Sequence, residues 1–244
     1  MAAAFSLETI KVLLTVISGV CWTIVYVLAI RVGLKDKSYA IPFYALALNF
    51  AWELLYTFYG FKINGLNVQN VFSAIWLTFD VGILYTYFKY GQKYFRSLVI
   101  NSNAFGARRD HSATTDGTDL ITERCVFVLW SVLGLVTALL VEYAIRREFG
   151  VAKGAGYSAF RQNLLMSILF ITMLVRRGGT EGQSMPIAVN KWIGTLAPTI
   201  LYGIVGEGGF PHGSLFIVIT GGLCSVFDLI YICLFARVRR GLLI

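Results

Sequence analysis

The stretch "YAIPFYALALNFAWELLYTFYG", residues 39–60, contains 22 residues and only one charged side chain, that of Glu53. A helix needs about 20 mostly apolar residues to cross the hydrocarbon core of a bilayer. The stretch therefore predicts a membrane-spanning helix. It also raises the question of why a carboxyl group lies within that helix.

Similar apolar stretches recur along the whole chain, in which 57% of the residues are apolar and 14% are charged. Soluble domains carry about 25% charged residues. We predict an all-α polytopic membrane protein, a bundle of seven transmembrane helices that forms a single domain over residues 1–244. The predicted spans are 9–30, 39–60, 69–89, 121–143, 157–175, 187–206 and 213–236. Residues 90–120, rich in Asn, Ser, Thr, Gly and charge, predict a solvated loop.

The composition also argues against several kinds of site. The four cysteines, Cys21, Cys125, Cys224 and Cys233, lie in apolar segments without CxxC spacing, which favours buried free thiols. With two histidines, both in polar stretches, we expect no metal site and no cofactor. The net charge of +8 does not indicate a nucleic-acid partner, because the basic residues flank the apolar segments.

The basic residues instead predict an orientation. Loops one, three and five and the C-terminal tail contain fourteen Lys and Arg residues, whereas the opposite side contains five. The positive-inside rule then gives a lumenal N-terminus and a cytosolic C-terminus. We expect an integral protein of the endoplasmic reticulum membrane. The fourteen residues are Arg31, Lys35, Lys37, Lys89, Lys93, Arg96, Arg108, Arg109, Arg124, Arg176, Arg177, Arg237, Arg239 and Arg240.

Three carboxylic acids, Glu53, Asp80 and Asp228, fall well inside the predicted spans. An ionised residue at the centre of a span costs roughly 3 kcal/mol. Such residues are expected to face the bundle interior and to have a function. The alternative for each is a protonated structural group that bonds a neighbouring helix.

The neighbours of Glu53 suggest a poorly hydrated carboxyl group. Asn49 and Tyr56 share its helix face, and Trp52 flanks that face. We expect a hydrogen bond from an amide to the carboxyl group and aromatic rings around it. Loss of hydration favours the protonated form, which can act as an acid near neutral pH.

Asp228 lies in a similar setting in the last span. In "CSVFDLIYI", Cys224 and Tyr231 share its helix face and Phe227 is adjacent. From the predicted topology, Glu53 and Asp228 are offset by about 9 Å along the membrane normal. That offset is too large for a shared proton, and it suits two roles along one elongated apolar substrate.

Other polar residues have simpler interpretations. Glu142 closes a predicted span and is expected at the interface, and Arg161 is expected to snorkel or to pair with it. Asn163 and Ser167 share a helix face and could line a cavity. Pro198 is expected to kink the 187–206 span.

Four pieces of the chain, "NFAWELLY", "IWLTFD", "QNLLMSILF" and "VFDLIY", resemble the small integral-membrane terpene cyclases of fungal meroterpenoid and indole-diterpene pathways, the pyripyropene and paspaline type. The resemblance covers nearly the whole chain. It implies a hydrophobic epoxyprenylated substrate, on which an acid opens the terminal epoxide and starts a cationic cyclisation. Overall similarity favours an epoxyfarnesyl polyketide over an epoxygeranylgeranyl indole.

The resemblance also implies which residues act. Two intramembrane acids are essential in that family, one in the AWE motif and one in the last span, and they correspond to Glu53 and Asp228. Asp80 corresponds to a third acid of less certain role. We therefore expect Glu53 and Asp228 to be catalytic. The expected substrate-binding residues are Asn49, Trp52, Tyr56, Asp80, Phe227 and Tyr231.

Two other functions compete with the cyclase interpretation, that of a retinal protein and that of a transporter. A retinal protein would need a lysine in the last span, and residues 213–236 contain none. A small proton-coupled transporter that uses the intramembrane acids as a relay stays open as an alternative, although the chain has no internal repeat. The DDxxD and DxDD motifs of other terpene cyclases are absent, which favours an epoxide trigger over loss of diphosphate.

Overall fold

The computed structural model describes residues 6–66, 68–95 and 117–242, and these residues form helices and turns with no β-strand. Most of the predicted 90–120 loop lies outside the described residues. The helices are α1 (Leu7–Lys35), α2 (Phe43–Asn64), α3 (Val68–Tyr90), α4 (Gly117–Arg177), α5 (Met185–Ile200) and α6 (Leu215–Arg239). A π-helical turn, Leu201–Val205, continues α5.

Helix α4 consists of two antiparallel arms that meet at Gly150. The backbone of Gly150 is not helical, with φ 76° and ψ 179°. The side chains of Glu142 and Arg161 are 2.7 Å apart, whereas 19 residues of straight helix would separate them by about 28 Å. The chain therefore reverses at Gly150. The two arms, residues 117–149 and 151–177, correspond to the predicted spans 121–143 and 157–175.

With α4 counted as two arms, seven helical segments match the seven predicted spans in order. Among the described residues, four helices are long and apolar enough to cross a membrane: Leu7–Lys35, Asn70–Tyr90, Glu123–Arg177 and Leu215–Arg239. The third has 55 residues, enough for both arms. Helix α5 has only 16 residues before its π-helical turn. Helix α2 begins four residues later than predicted, because Pro42 occupies its N-cap.

Contacts at the two ends of the bundle show that successive segments alternate in direction. At one end, Gly182 N donates to Asp36 (3.0 Å), Ser38 bonds Tyr94 (2.7 Å), and Arg177 donates to the carbonyl of Tyr39 (3.0 Å). These bonds join the α1–α2 connection, the residues after α3 and the α4–α5 connection. At the other end, Lys11 pairs with Glu207 at 3.0 Å. The placement of these two ends relative to cytosol and lumen stays a prediction.

The outer surface is apolar and the interior contains charged groups. On α1, the outward-facing Val12, Leu13 and Val16 are each more than half exposed. In contrast, Glu142 and Lys191 are fully buried. This inverted distribution is typical of a helical bundle surrounded by lipid.

The structure corrects two predictions about burial. Cys21 and Cys224 are buried, but Cys125 and Cys233 are exposed on outward faces, so the prediction of four buried thiols was wrong for two of them. Glu142, which was expected at the membrane interface, is enclosed by protein and has no exposed surface. Its predicted pairing with Arg161 is confirmed, and that cation explains how a carboxylate is tolerated there.

The connection between α5 and α6 requires glycine. Three residues after Pro198 the helix changes from α to π, and the chain then turns through Gly206 at φ 88° and Gly213 at φ 75°. A Cβ atom on Gly213 would overlap the carbonyl oxygen of Gly203. This turn closes one end of the cavity described below.

We expect Gly213→Ala to destabilise the protein by at least about 1–2 kcal/mol, because the left-handed backbone disfavours an L side chain and the added methyl group meets backbone. Thermal unfolding of the purified protein in detergent would measure the loss. Gly222→Ala is the matched control, because Gly222 is helical and a Cβ atom there meets open space. Equal unfolding temperatures for the two variants would contradict this account of the turn.

Candidate active site

A cavity of about 490 Å³ lies between α1, α2, α3, the second arm of α4, α5 and the 206–213 turn. Its size falls in the range of small-molecule sites. Its wall is mainly aromatic and apolar, with few polar groups. The aromatic lining residues are Trp22, Tyr26, Trp52, Trp76, Phe160, Tyr202 and Phe210.

Glu53 is the carboxylic acid on the wall of this cavity. It is 3% exposed, and its Oε1 accepts a long hydrogen bond of 3.5 Å from the hydroxyl of Tyr26. Its Oε2 has no hydrogen-bond partner among the described residues. The carboxyl group therefore has one oxygen available to a bound molecule.

A hydrogen-bonded network lies behind Glu53. Asn49 Nδ2 donates to the hydroxyl of Tyr26 at 2.7 Å and to Asp80 Oδ2 at 2.8 Å. Gln162 Nε2 donates to Asn49 Oδ1 at 3.3 Å. The amide of Asn49 thus donates hydrogen bonds to Tyr26 and Asp80 rather than to Glu53. The prediction of a hydrogen bond from an amide to Glu53 was therefore wrong. Tyr26, which no local sequence signal singled out, supplies the bond instead.

Of the other residues predicted to surround Glu53, some line the cavity and others lie behind its wall. Asn49 and Trp52 line the cavity, and Trp52 Nε1 donates to the carbonyl of Ala155 at 3.0 Å, which fixes the ring against α4. Tyr56 is buried behind Trp52, with ring centroids 5.2 Å apart, and is not part of the wall. Asp80 is fully buried and one hydrogen bond behind the wall.

Asp228 lies in a second polar cluster. Its Oδ1 accepts from Lys191 Nζ at 2.5 Å, and Lys191 also donates to Ser167 Oγ at 2.7 Å. All three side chains are 1% exposed or less. Lys191 lies in the first turns of the predicted 187–206 span, and a lysine inside a span is itself a sequence signal that a partner acid exists.

The Asp228 cluster lies outside the cavity wall. Ser167 Oγ donates to the backbone carbonyl of Asn163 at 3.0 Å, and Asn163 lines the cavity while Ser167 does not. Phe227 and Tyr231 are also outside the wall, and the hydroxyl of Tyr231 donates to Gln183 Oε1 at 2.7 Å. The structure therefore brings Glu53, Asn49, Trp52 and Asp80 together and places Asp228 behind the α4 and α5 walls.

The family model of Pyr4-like transmembrane terpene cyclases matches residues 2–108 and 116–241. The chain belongs to this family. It is therefore an enzyme that cyclises terpenoids. This result supports the interpretation of the chain as a cyclase rather than as a transporter.

Curated relatives of this cyclase agree with the assignment. The Pyr4-family terpene cyclase mfmH of Annulohypoxylon moriforme is 28% identical over 191 residues, which cover 78% of this chain and 68% of that protein. Terpene cyclase macJ of Penicillium terrestre is 27% identical over 235 residues, 93% of this chain and 81% of that protein. Terpene cyclase atmB of Aspergillus flavus is 26% identical over 199 residues, 82% and 72% respectively. No solved structure matches the cyclase.

Proposed function

We propose that this cyclase opens the terminal epoxide of an epoxyprenylated substrate, an epoxyfarnesyl chain carried by a polyketide, and that it drives a cationic polyene cyclisation in meroterpenoid biosynthesis. Glu53 is the proton donor. The observation that carries the proposal is the buried carboxyl group of Glu53, with one free oxygen, on the wall of a cavity of about 490 Å³ lined by aromatic rings.

The surroundings of Glu53 favour a carboxyl group that holds its proton. Glu53 and Asp80 belong to one buried network, and their hydrogen-bond partners among the described residues are the neutral groups of Tyr26 and Asn49. The buried cation Lys191 is bonded to Asp228 instead. Two ionised carboxylates in such a network would repel each other and would lack hydration, which favours the neutral acid.

The reaction then follows in three steps. Glu53 gives its proton to the epoxide oxygen as the bond from that oxygen to the more substituted carbon breaks, which leaves a hydroxyl group and a carbocation. The alkenes of the prenyl chain attack in turn and close rings. The final cation loses a proton to a base, so that the product is an isomer of the substrate.

The cavity wall protects the cations. Water would quench them, and an apolar wall excludes it. Aromatic faces stabilise a nearby positive charge by about 0.5–2 kcal/mol each. Trp22, Trp52 and Trp76 supply such faces on three different helices.

We assign the terminal base to Asp228. Lys191 donates to Oδ1 of Asp228, while Oδ2 has no hydrogen-bond partner among the described residues and is available to accept a proton. Because Asp228 lies behind the wall near Asn163, the proton reaches it directly after a small shift of the wall or through water. Phe227 and Tyr231 shape the environment of this acid, and Tyr56 supports Trp52.

The proposed setting is the endoplasmic reticulum membrane, with a lumenal N-terminus and a cytosolic C-terminus. The apolar outer surface lets an epoxyprenylated substrate arrive from the lipid. The orientation rests on the fourteen basic residues of the predicted cytosolic side against five on the other.

The epoxide trigger predicts a sharp substrate requirement. The purified cyclase is expected to convert the epoxyprenylated compound and to leave the corresponding olefin unchanged, because a carboxylic acid is a weak proton source for an isolated alkene while the strained epoxide opens readily. Mass spectrometry and chromatography of parallel incubations would measure this. Cyclised product from the olefin, or dependence of the epoxide reaction on added magnesium, would contradict the mechanism.

A further inference from the structure

Two further cavities lie on the face of α2 opposite to Glu53. One has a volume of about 230 Å³ and the other about 400 Å³. They adjoin one another, because Tyr44, Trp130 and Leu169 line both. None of their lining residues belongs to the wall of the active-site cavity. Together they form a groove that is bounded by α2, the two arms of α4 and, at the smaller cavity, the end of α3. We call it the α2–α4 groove.

One end of the α2–α4 groove is cationic. Arg176 and Arg177, in the last turn of α4, line the smaller cavity. Arg177 Nη1 donates to the carbonyls of Tyr39 (3.0 Å) and Glu181 (2.7 Å), and its guanidinium lies 4.3 Å from the ring centre of Tyr94. Its Nη2 is buried and finds no hydrogen-bond acceptor among the described residues. A guanidinium fixed in this way, with a free donor, is suited to an anionic oxygen.

The rest of the α2–α4 groove is mainly apolar, and its one charged lining residue, Arg161, is paired with Glu142. Ala47, Leu48, Leu133, Val141 and Leu165 line the larger cavity. From Arg176 to Leu165 the second arm of α4 rises by about 16 Å, close to half of the roughly 30 Å hydrocarbon thickness of a bilayer. The groove therefore has the depth of one acyl chain in one leaflet.

We propose that the α2–α4 groove binds one anionic phospholipid. Its head group, which carries a net negative charge, lies against Arg176 and Arg177, and one acyl chain occupies the larger cavity. The occupant is a lipid rather than a free anion because the cationic end opens directly into an apolar cavity, and only an amphiphile fills both. The aromatic residues Tyr44 and Trp130 lie where the two cavities join and line both of them. This site does not depend on the epoxide mechanism.

Native mass spectrometry of the full chain in mild detergent tests the proposal, with phosphatidylserine and phosphatidylcholine added at equal concentrations. We expect wild type to bind phosphatidylserine at least about fivefold more tightly, the preference that one interfacial arginine supplies. Arg176→Gln should remove that preference. Arg239→Gln is the matched control, because Arg239 is an exposed arginine in the last turn of α6 at the same end of the bundle, and it should retain the preference.

A second variant tests the apolar part of the α2–α4 groove. Thr137→Phe places a ring in the larger cavity, which Thr137 lines, and should weaken the binding of both lipids. Equal binding of the two lipids by wild type would overturn the proposal, as would an Arg239→Gln effect as large as that of Arg176→Gln. Displacement of the lipid by glycerophosphoserine without acyl chains would identify an anion site instead. One-for-one displacement by the epoxyprenylated substrate would assign the groove to substrate.

Discussion

Glu53→Gln is expected to lower the rate of cyclisation by at least about 100-fold, the lower end of what a positioned acid contributes. The amide keeps the shape of the side chain and can still accept the bond from Tyr26, but it has no acidic proton to give. Unreacted epoxide should be recovered from incubations with the purified variant, and mass spectrometry with chromatography would measure it.

Asp80→Asn is the matched comparison for Glu53→Gln. Asp80 is a buried carboxyl group in the same network, one hydrogen bond behind the cavity wall. Because it does not line the cavity, its loss should slow cyclisation less than the loss of Glu53. Both variants should elute as the folded protein on size exclusion. A folded Glu53→Gln protein with more than a few per cent of wild-type activity would remove Glu53 as the acid.

Asp228→Asn is expected to reduce formation of the normal product as strongly as Glu53→Gln does, but at a later step of the reaction. Epoxide opening should still occur, and partially cyclised or differently deprotonated products should appear, because the base that ends the reaction is missing. Product analysis after feeding the epoxide would detect them. Recovery of unreacted epoxide alone, from folded protein, would instead place Asp228 with Glu53 in the acid network.

The buried Lys191–Asp228 pair requires a second comparison. Removing one partner of a buried ion pair leaves an uncompensated charge and typically costs about 3–5 kcal/mol of stability, whereas replacing both partners is often tolerated. The double variant Lys191→Met, Asp228→Asn should therefore recover much of the stability that Asp228→Asn loses. If Asp228 is the terminal base, this double variant stays unable to form the normal product. Recovery of the normal product together with stability would show that the pair is purely structural.

The helices and the position of Glu53 could be predicted from the sequence because the signals are local. An apolar run of about 20 residues specifies a span, and a carboxyl group inside such a run is recognisable wherever the helix packs. The reversal at Gly150 lies between the predicted spans 121–143 and 157–175, because the apolar run is interrupted there. The turn that ends at Gly213 also falls between two predicted spans, 187–206 and 213–236. Its need for glycine could not be predicted, since that need comes from the carbonyl of Gly203 on the preceding segment.

The arrangement of the site could not be predicted, because it depends on contacts between helices. Tyr26 is one of many aromatic residues in apolar spans, and only the packing of α1 and α2 against α3 brings its hydroxyl to Glu53 and Asn49. Lys191 meets Asp228 only after α5 packs on α6. The same packing separates Asp228 from the cavity. The sequence had suggested similar surroundings for Asp228 and Glu53, because both have aromatic neighbours on the same helix.

The central claim is that the carboxyl group of Glu53 triggers ring closure by opening an epoxide inside the membrane bundle. Its most direct test is to incubate the purified, lipid-reconstituted wild-type protein, without added metal, with a synthetic epoxyfarnesyl polyketide, and to determine the product by nuclear magnetic resonance. We predict a ring-closed alcohol with the same mass as the substrate, and its absence with Glu53→Gln. Recovery of the intact epoxide from folded wild-type protein, or the same alcohol from Glu53→Gln, would contradict the claim.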